Sequence, residues 1–175
     1  MGFDVKGKNI LIIIAEGHHE HEFWFPYYRF KEAGANVIVA APQKGIVAGE
    51  GRNGKDGLFA KADYDLREVH GMEIDGIFLP GGIYGPLELR VDKDVLQILK
   101  KANDENKWIA AICHAPWILI SAGLVKGKKI ACPDDMADDV ISAGGTYIRE
   151  GAVADGNIYT AVYFGVLPEL FRLLL

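Results

Sequence analysis

Four apolar runs constrain this chain more than any other feature: "NILIIIA", "NVIVAA", "DGIFLPGG" and "KWIAAIC". Each is about the length of a β-strand, and none alternates apolar with polar residues. A strand wetted on one face alternates, whereas a run that is apolar throughout must be covered above and below. Between the runs lie helical patterns, "EFWFPYYRFKEAG" closing at Gly34 and "DVLQILKKAND". Glycine is a common helix stop because it adopts the left-handed conformation that ends the last turn. The alternation predicts an α/β chain, with a mostly parallel sheet held between two helical layers. Ligands of such sheets bind beyond the carboxyl ends of the strands.

The rest of the chain extends this frame within a single predicted domain, 1–175. Half of the 175 residues are apolar, enough for one good core. From Pro42 to Leu66 the run "QKGIVAGEGRNGKDGLFAKADYDL" predicts a β-hairpin turning at "NG" or "DG", with no chemistry assigned to it. The last third predicts a strand, a short helix and a hairpin through "DGN", and "PELFRLLL" predicts a closing helix. Nineteen basic against twenty-four acidic side chains leave a net charge of −5, without a basic block, so nucleic acid is not an expected partner. The apolar runs are too short to span a membrane, and "MGFDVKGKN" is too polar for a signal peptide, so a cytoplasmic location is expected. Two cysteines, Cys113 and Cys132, make no disulfide scaffold.

Three predicted loops converge on one sheet edge, carrying Glu22, the pair Gly81-Gly82, and Cys113-His114. Cys113 has two readings. It is a small buried hydrophobe, as most cysteines are, or it is a nucleophile at a strand-to-helix turn, where a helix N-terminus and a neighbouring imidazole favour the thiolate. Pro116 suits the first turn of a helix, and the amides of Gly82 and His114 are candidates for an oxyanion hole. His18, His21 and Glu22 stand at i, i+3 and i+4, a spacing able to hold a metal. Because much of that stretch precedes the apolar helix, solvated polar residues at a helix start are the preferred reading, and no metal or cofactor is expected.

The stretches "AAICHAPWILISAGLVKGKKIA", "FLPGG", "DDMADDVISAGGTYI" and "VADGNIYT" together resemble the PfpI family of intracellular cysteine peptidases. That family belongs to the class I glutamine amidotransferase-like superfamily, which also holds a redox-sensing protein and glyoxalase III type enzymes. The resemblance implies a flavodoxin-like three-layer α/β/α sandwich with Cys113 as nucleophile, His114 beside it, and Glu22 as the carboxylate that meets the sulfur. Such a Glu22 would have to be protonated, through burial and the neighbouring sulfur. The resemblance also implies a homo-oligomer, dimer or hexamer, in which an acidic residue after a proline orients the histidine of a neighbouring subunit.

The chain departs from that pattern at three places. In "GGIYGPLELR" the acidic position falls on Leu87, and Glu88 is the nearest carboxylate. Cys132 stands where relatives keep a histidine or tyrosine, which raises the reading of a second thiol able to bridge Cys113. "TAVYFGVLPEL" replaces a usual Ser-Arg pair. An unoriented His114 is a weak base for expelling an amine, so attack of Cys113 on a small 2-oxoaldehyde such as methylglyoxal, or repair of its adducts, is expected ahead of peptide hydrolysis. The alternatives are a peptidase or amidase, and a non-enzymatic redox sensor oxidised at Cys113.

Overall fold

The computed structural model describes residues 2–175. In chain order the elements are β1 (Asn9–Ile13), α1 (Glu20–Glu32), β2 (Asn36–Ala41), β3 (Gly45–Ala48), β4 (Phe59–Ala62), β5 (Tyr64–Asp65), α2 (Leu66–Val69), β6 (Gly76–Leu79), α3 (Tyr84–Leu89) and α4 (Lys93–Asp104). They continue with β7 (Trp108–Ile112), α5 (Pro116–Ser121), β8 (Lys129–Ala131), α6 (Ala137–Ser142), β9 (Thr146–Ile148), β10 (Ala152–Asp155), β11 (Ile158–Ala161) and α7 (Leu167–Leu174). Seven strands form the central sheet in the order β10-β11-β7-β6-β1-β2-β5. Every pairing in it is parallel except β10 with β11. This is the predicted α/β architecture.

The period of two along a strand divides the core in half. Leu11, Ile13, Ile77, Leu79, Ile109 and Ala111 enter one buried cluster, which α4 and α5 cover through Val95, Leu99, Ile118 and Leu119. Their neighbours Ile10, Ile12, Phe78, Ala110 and Ile112 enter the other, beneath Phe23 and Phe30 of α1 and Leu170 and Phe171 of α7. The uninterrupted apolar runs are explained: both faces of β1, β6 and β7 are covered. Phe30 anchors the second cluster, with its ring 5.7 Å from that of Trp108 and 4.9 Å from that of Phe171.

Strand order reverses beside β1, which pairs β2 on one side and β6 on the other. The crevice at such a reversal, beyond the carboxyl ends, is where this class of sheet binds ligands. The segments leaving β1, β6 and β7 all open there. The predicted β-hairpin is present as β3–β4, and its connection is longer than a tight turn. Ala48 pairs with Phe59, so residues 49–58 form a long loop with both "NG" and "DG" inside it. Asp56 closes that loop on itself by accepting from the Asn53 amide N–H at 3.0 Å. The "DGN" turn is as expected, with Asp155 opposite Ile158 and Gly156 at φ +65°. Among the described residues no helix is long and apolar enough to cross a membrane.

Candidate active site

Cys113 follows β7 directly and has φ 60°, a left-handed conformation that a non-glycine residue holds only when its surroundings impose it. They do so here from both sides. The Cys113 amide donates to the Ala161 carbonyl at 2.9 Å, continuing the β7–β11 ladder, and the Ala115 amide folds back to the Ile112 carbonyl at 3.0 Å. The sheet therefore ends at the cysteine, and α5 begins at Pro116, whose missing N–H has no partner to lose. The half-buried sulfur is left above the strand ends.

Glu22 reaches it from the first turn of α1 and is fully buried. The Gly81 amide donates to Glu22 Oε2 at 2.9 Å. Oε1 is buried without a fixed hydrogen-bond partner, and the Cys113 thiol and the Glu50 carboxylate are the side chains that act on the carboxyl. Gly81 is what permits this approach: a Cβ there would lie 2.6 Å from the Cys113 Cβ, from Glu22 Oε2 and from the Ile112 carbonyl. Burial pushes the Glu22 carboxyl up to about 8, against the Gly81 amide and the Cys113 thiol, which favour the ionised form. Glu22 is thus an acid at neutral pH, as the proton-donor reading requires.

The thiol corrects an expectation. A depressed Cys113 titration follows from a helix N-terminus and a histidine neighbour, yet in the structure Cys113 is pushed up to about 12, by burial first and then by charge on Glu22. The backbone N–H groups of Gly82 and His114 work the other way, favouring the thiolate, and they are the two amides expected to form the oxyanion hole. Glu22 and Cys113 share their protons as a pair, the first leaving near 8 and the second near 12. The form that can attack keeps the remaining proton on Glu22 and carries the charge on sulfur: the Glu22 repulsion is then absent, while burial, the larger cause, still opposes the thiolate.

His114 is buried beside the sulfur, with Nδ1 at 3.3 Å from Cys113 Sγ. Its Nε2 lies 3.0 Å from Asp135 Oδ2. A carboxylate at Nε2 assigns the proton there and leaves Nδ1 as the acceptor facing the thiol. His114 is therefore oriented, and the carboxylate that orients it within the chain is Asp135. Glu88, the candidate for orienting the histidine of a neighbouring subunit, is exposed on α3 and lines a separate cavity with Glu16, Lys44 and Lys55. Asp135 sits in "DDMADD", a stretch quoted for its family likeness alone; its position two residues after Pro133 carries no periodic signal.

The remaining candidates separate. His18 is buried, donates Nδ1–H to the Ala15 carbonyl at 3.1 Å, and stays neutral because burial lowers its titration. His21 is exposed, and its ring packs against Phe164 at 5.3 Å. His18, His21 and Glu22 thus point apart, and among the described residues no group of three or more His, Cys, Asp and Glu side chains could hold a metal. Cys132 is fully buried in the first core cluster, whereas Cys113 packs against the second, and both are free thiols. Burial and the charges of Asp135, Asp139 and Asp134 push Cys132 up to about 12. The hairpin loop, to which no chemistry was assigned, contributes a further carboxylate, Glu50, whose Oε2 lies 3.2 Å from where a Cβ of Gly82 would be.

The sequence model of the DJ-1/PfpI family matches residues 8–175. The chain is 38% identical over 163 residues to deglycase PfpI of Pyrococcus furiosus, covering 93% of this chain and 95% of that protein. It is 31% identical over 148 residues to protein/nucleic acid deglycase 2 of Escherichia coli, covering 85% and 84%. Among solved structures, Drosophila melanogaster DJ-1beta superposes with a TM-score of 0.85 at 28% identity, covering 94% of this chain and 86% of that one.

Proposed function

This chain belongs to the DJ-1/PfpI family, and on that premise we propose that it is a cysteine-dependent deglycase, acting on 2-oxoaldehydes of the methylglyoxal type and on their adducts with amines. Cys113 is the nucleophile, Glu22 the acid and base, and the amides of Gly82 and His114 the oxyanion hole. The observation that carries this reading is a fully buried Glu22 that keeps its proton through neutrality beside a cysteine held at φ 60°.

The chemistry balances with the residues present and one water. An amine adduct collapses by moving its hydroxyl proton to nitrogen, which breaks the C–N bond and restores the aldehyde. The Cys113 thiolate forms the S–C bond to that carbon while Glu22 gives its proton to the oxygen, and the product is a hemithioacetal. Glu22, now a carboxylate, takes the hydrogen from the same carbon as a proton and returns it to the neighbouring carbon, while the hydroxyl proton passes from the first carbon's oxygen to the second's. One carbon is oxidised and the other reduced, so no external oxidant is needed, and a thioester of a 2-hydroxy acid results. Water cleaves the S–C bond, releasing the hydroxy acid and the thiol. Carbonyl oxygens become negative in these steps, where the Gly82 and His114 amides stabilise them.

The His114–Asp135 contact favours a second reading, amide hydrolysis by a Cys113, His114, Asp135 triad, since an oriented imidazole can protonate a leaving amine. Glu88, exposed on α3, keeps its proposed role toward the His114 of a neighbouring subunit, which ties that role to a dimer or hexamer. The deciding assay compares wild type with Cys113→Ala on the methylglyoxal adduct of N-acetylarginine, following free N-acetylarginine and lactate, and on a fluorogenic peptide. Lactate release lost in Cys113→Ala is the expected result. Peptide cleavage without lactate would replace this reading with the peptidase one, and lactate release retained by Cys113→Ala would refute it.

A further inference from the structure

We propose that Glu50 is a specificity-determining residue that makes this site select substrates by charge, favouring adducts carried on cationic groups such as guanidinium over those on neutral or anionic carriers. The substrate class rests on the deglycase reading; the charge selection at the sulfur does not.

The argument begins with the backbone. The loop 49–58 is laid across the catalytic segments. The Gly17 amide donates to the Ala48 carbonyl at 2.9 Å, and the Glu50 amide donates to the His18 carbonyl at 2.8 Å. The backbone of His18 is bridged on one side to Gly49 and on the other to Gly82. Glu50 is thereby held in register with the oxyanion-hole loop. Glu20 of α1 fixes the loop from beneath: its Oε1 accepts from the Gly51 amide at 2.9 Å and from the Leu58 amide at 3.3 Å. Gly49 and Gly57 lie against that carboxylate, and an ideal Cβ on either would meet Glu20 side-chain atoms, so a larger residue there would displace Glu20 from the loop. Glu20 is a positioning residue for Glu50.

The side chain is directed inward. Its Oε2 lies 3.2 Å from the ideal Gly82 Cβ position, and its charge acts on Cys113, Glu22 and His114. Glu50 is half-buried, and among the described residues no ion pair involves it. Glu20, Glu22 and His114 are the titratable side chains that face it or the sulfur beside it. An unpaired carboxylate in a partly desolvated crevice interacts more strongly with a charged ligand than it would in water. It also works against the ground-state charge of the thiolate, so a role in stabilising the nucleophile does not account for it. Attraction of a cation and repulsion of an anion do. An arginine adduct brings a guanidinium; a cysteine adduct or a phosphate-bearing carrier does not.

The test uses the purified protein and its Glu50→Gln variant. Modification of Cys113 is timed with the cationic 2-aminoethyl and the anionic 2-sulfonatoethyl methanethiosulfonates, which share one chemistry and differ in charge. Cys132 is fully buried, and Cys113→Ser identifies any labelling elsewhere. The wild type is expected to favour the cationic reagent, and Glu50→Gln to reduce the cation-to-anion rate ratio about tenfold. Glu20→Ala, which releases the loop, should shift the ratio in the same direction. In parallel, the kcat/KM ratio for methylglyoxal adducts of N-acetylarginine against N-acetylcysteine should fall about tenfold in Glu50→Gln. An unchanged reagent ratio overturns the proposal whatever the enzyme turns over. A shifted reagent ratio without adduct turnover in any variant supports charge selection by Glu50 and refutes the deglycase reading instead.

Discussion

Replacing Glu22 with glutamine should stabilise the protein at neutral pH while disabling it. In the folded chain the Glu22 carboxyl titrates near 8, raised by burial from an ordinary 4.5. Between those values the unfolded chain has lost the proton and the folded chain has kept it, so stability falls as pH rises through this window and levels off above it. Each pH unit is worth about 1.4 kcal/mol. From about pH 5 to about pH 7.5, wild type should therefore lose about 3 kcal/mol that Glu22→Gln, which cannot ionise, keeps. Glutamine retains an oxygen to accept the Gly81 amide now bonded at 2.9 Å, and whatever its added N–H groups cost is the same at both pH values. Guanidinium unfolding of both proteins at both pH values isolates the term, because groups uncoupled from Glu22 cancel in the double difference and Cys113, the coupled one, is pushed up well above this pH window. A stability gap between the two proteins that does not widen with pH would refute the assignment of Glu22 as a buried neutral acid. The same variant should lose about a hundredfold or more in turnover if Glu22 moves the proton. A gain in stability with a loss in activity is the signature of a strained catalytic group.

Three further outcomes test the remaining geometry. Alkylation of Cys113 by iodoacetamide should accelerate with pH through about 8, where the Glu22–Cys113 pair loses its first proton, and Glu22→Gln should abolish that step in the rate profile. Gly81→Ala places a methyl group 2.6 Å from both the Cys113 Cβ and Glu22 Oε2, and should lower kcat about a hundredfold as the pair is forced apart, measured as lactate release. Phe30→Ala, far from the chemistry at the centre of the aromatic cluster, should cost about 3–5 kcal/mol in chemical denaturation while leaving the pH at which Cys113 reacts unmoved.

The four apolar runs and the helical patterns between them determined the parallel sheet, because strands apolar on both faces need cover above and below and helical crossovers supply it. Adjacent elements were legible for the same reason: Gly34 ends α1 at φ +83°, and Pro116 begins α5. The crevice followed, since strands that all run one way place the segments after β1, β6 and β7 at one edge, bringing Glu22, Gly82 and Cys113-His114 together. What only the tertiary structure decided are the side chains that arrive from elsewhere and the charges they carry. Asp135 is twenty-one residues from His114 and Glu50 lies in an irregular loop, so neither pairing leaves a periodic trace; each depends on how a loop folds back. The reversal of the Cys113 titration has the same origin. Sequence neighbours supply the amides of Gly82 and His114 that favour the thiolate, but the burial and the Glu22 carboxyl that outweigh them exist only once α1 is packed on the sheet. Hydrophobic order is written along the chain, whereas the titration of a buried group depends on everything packed around it.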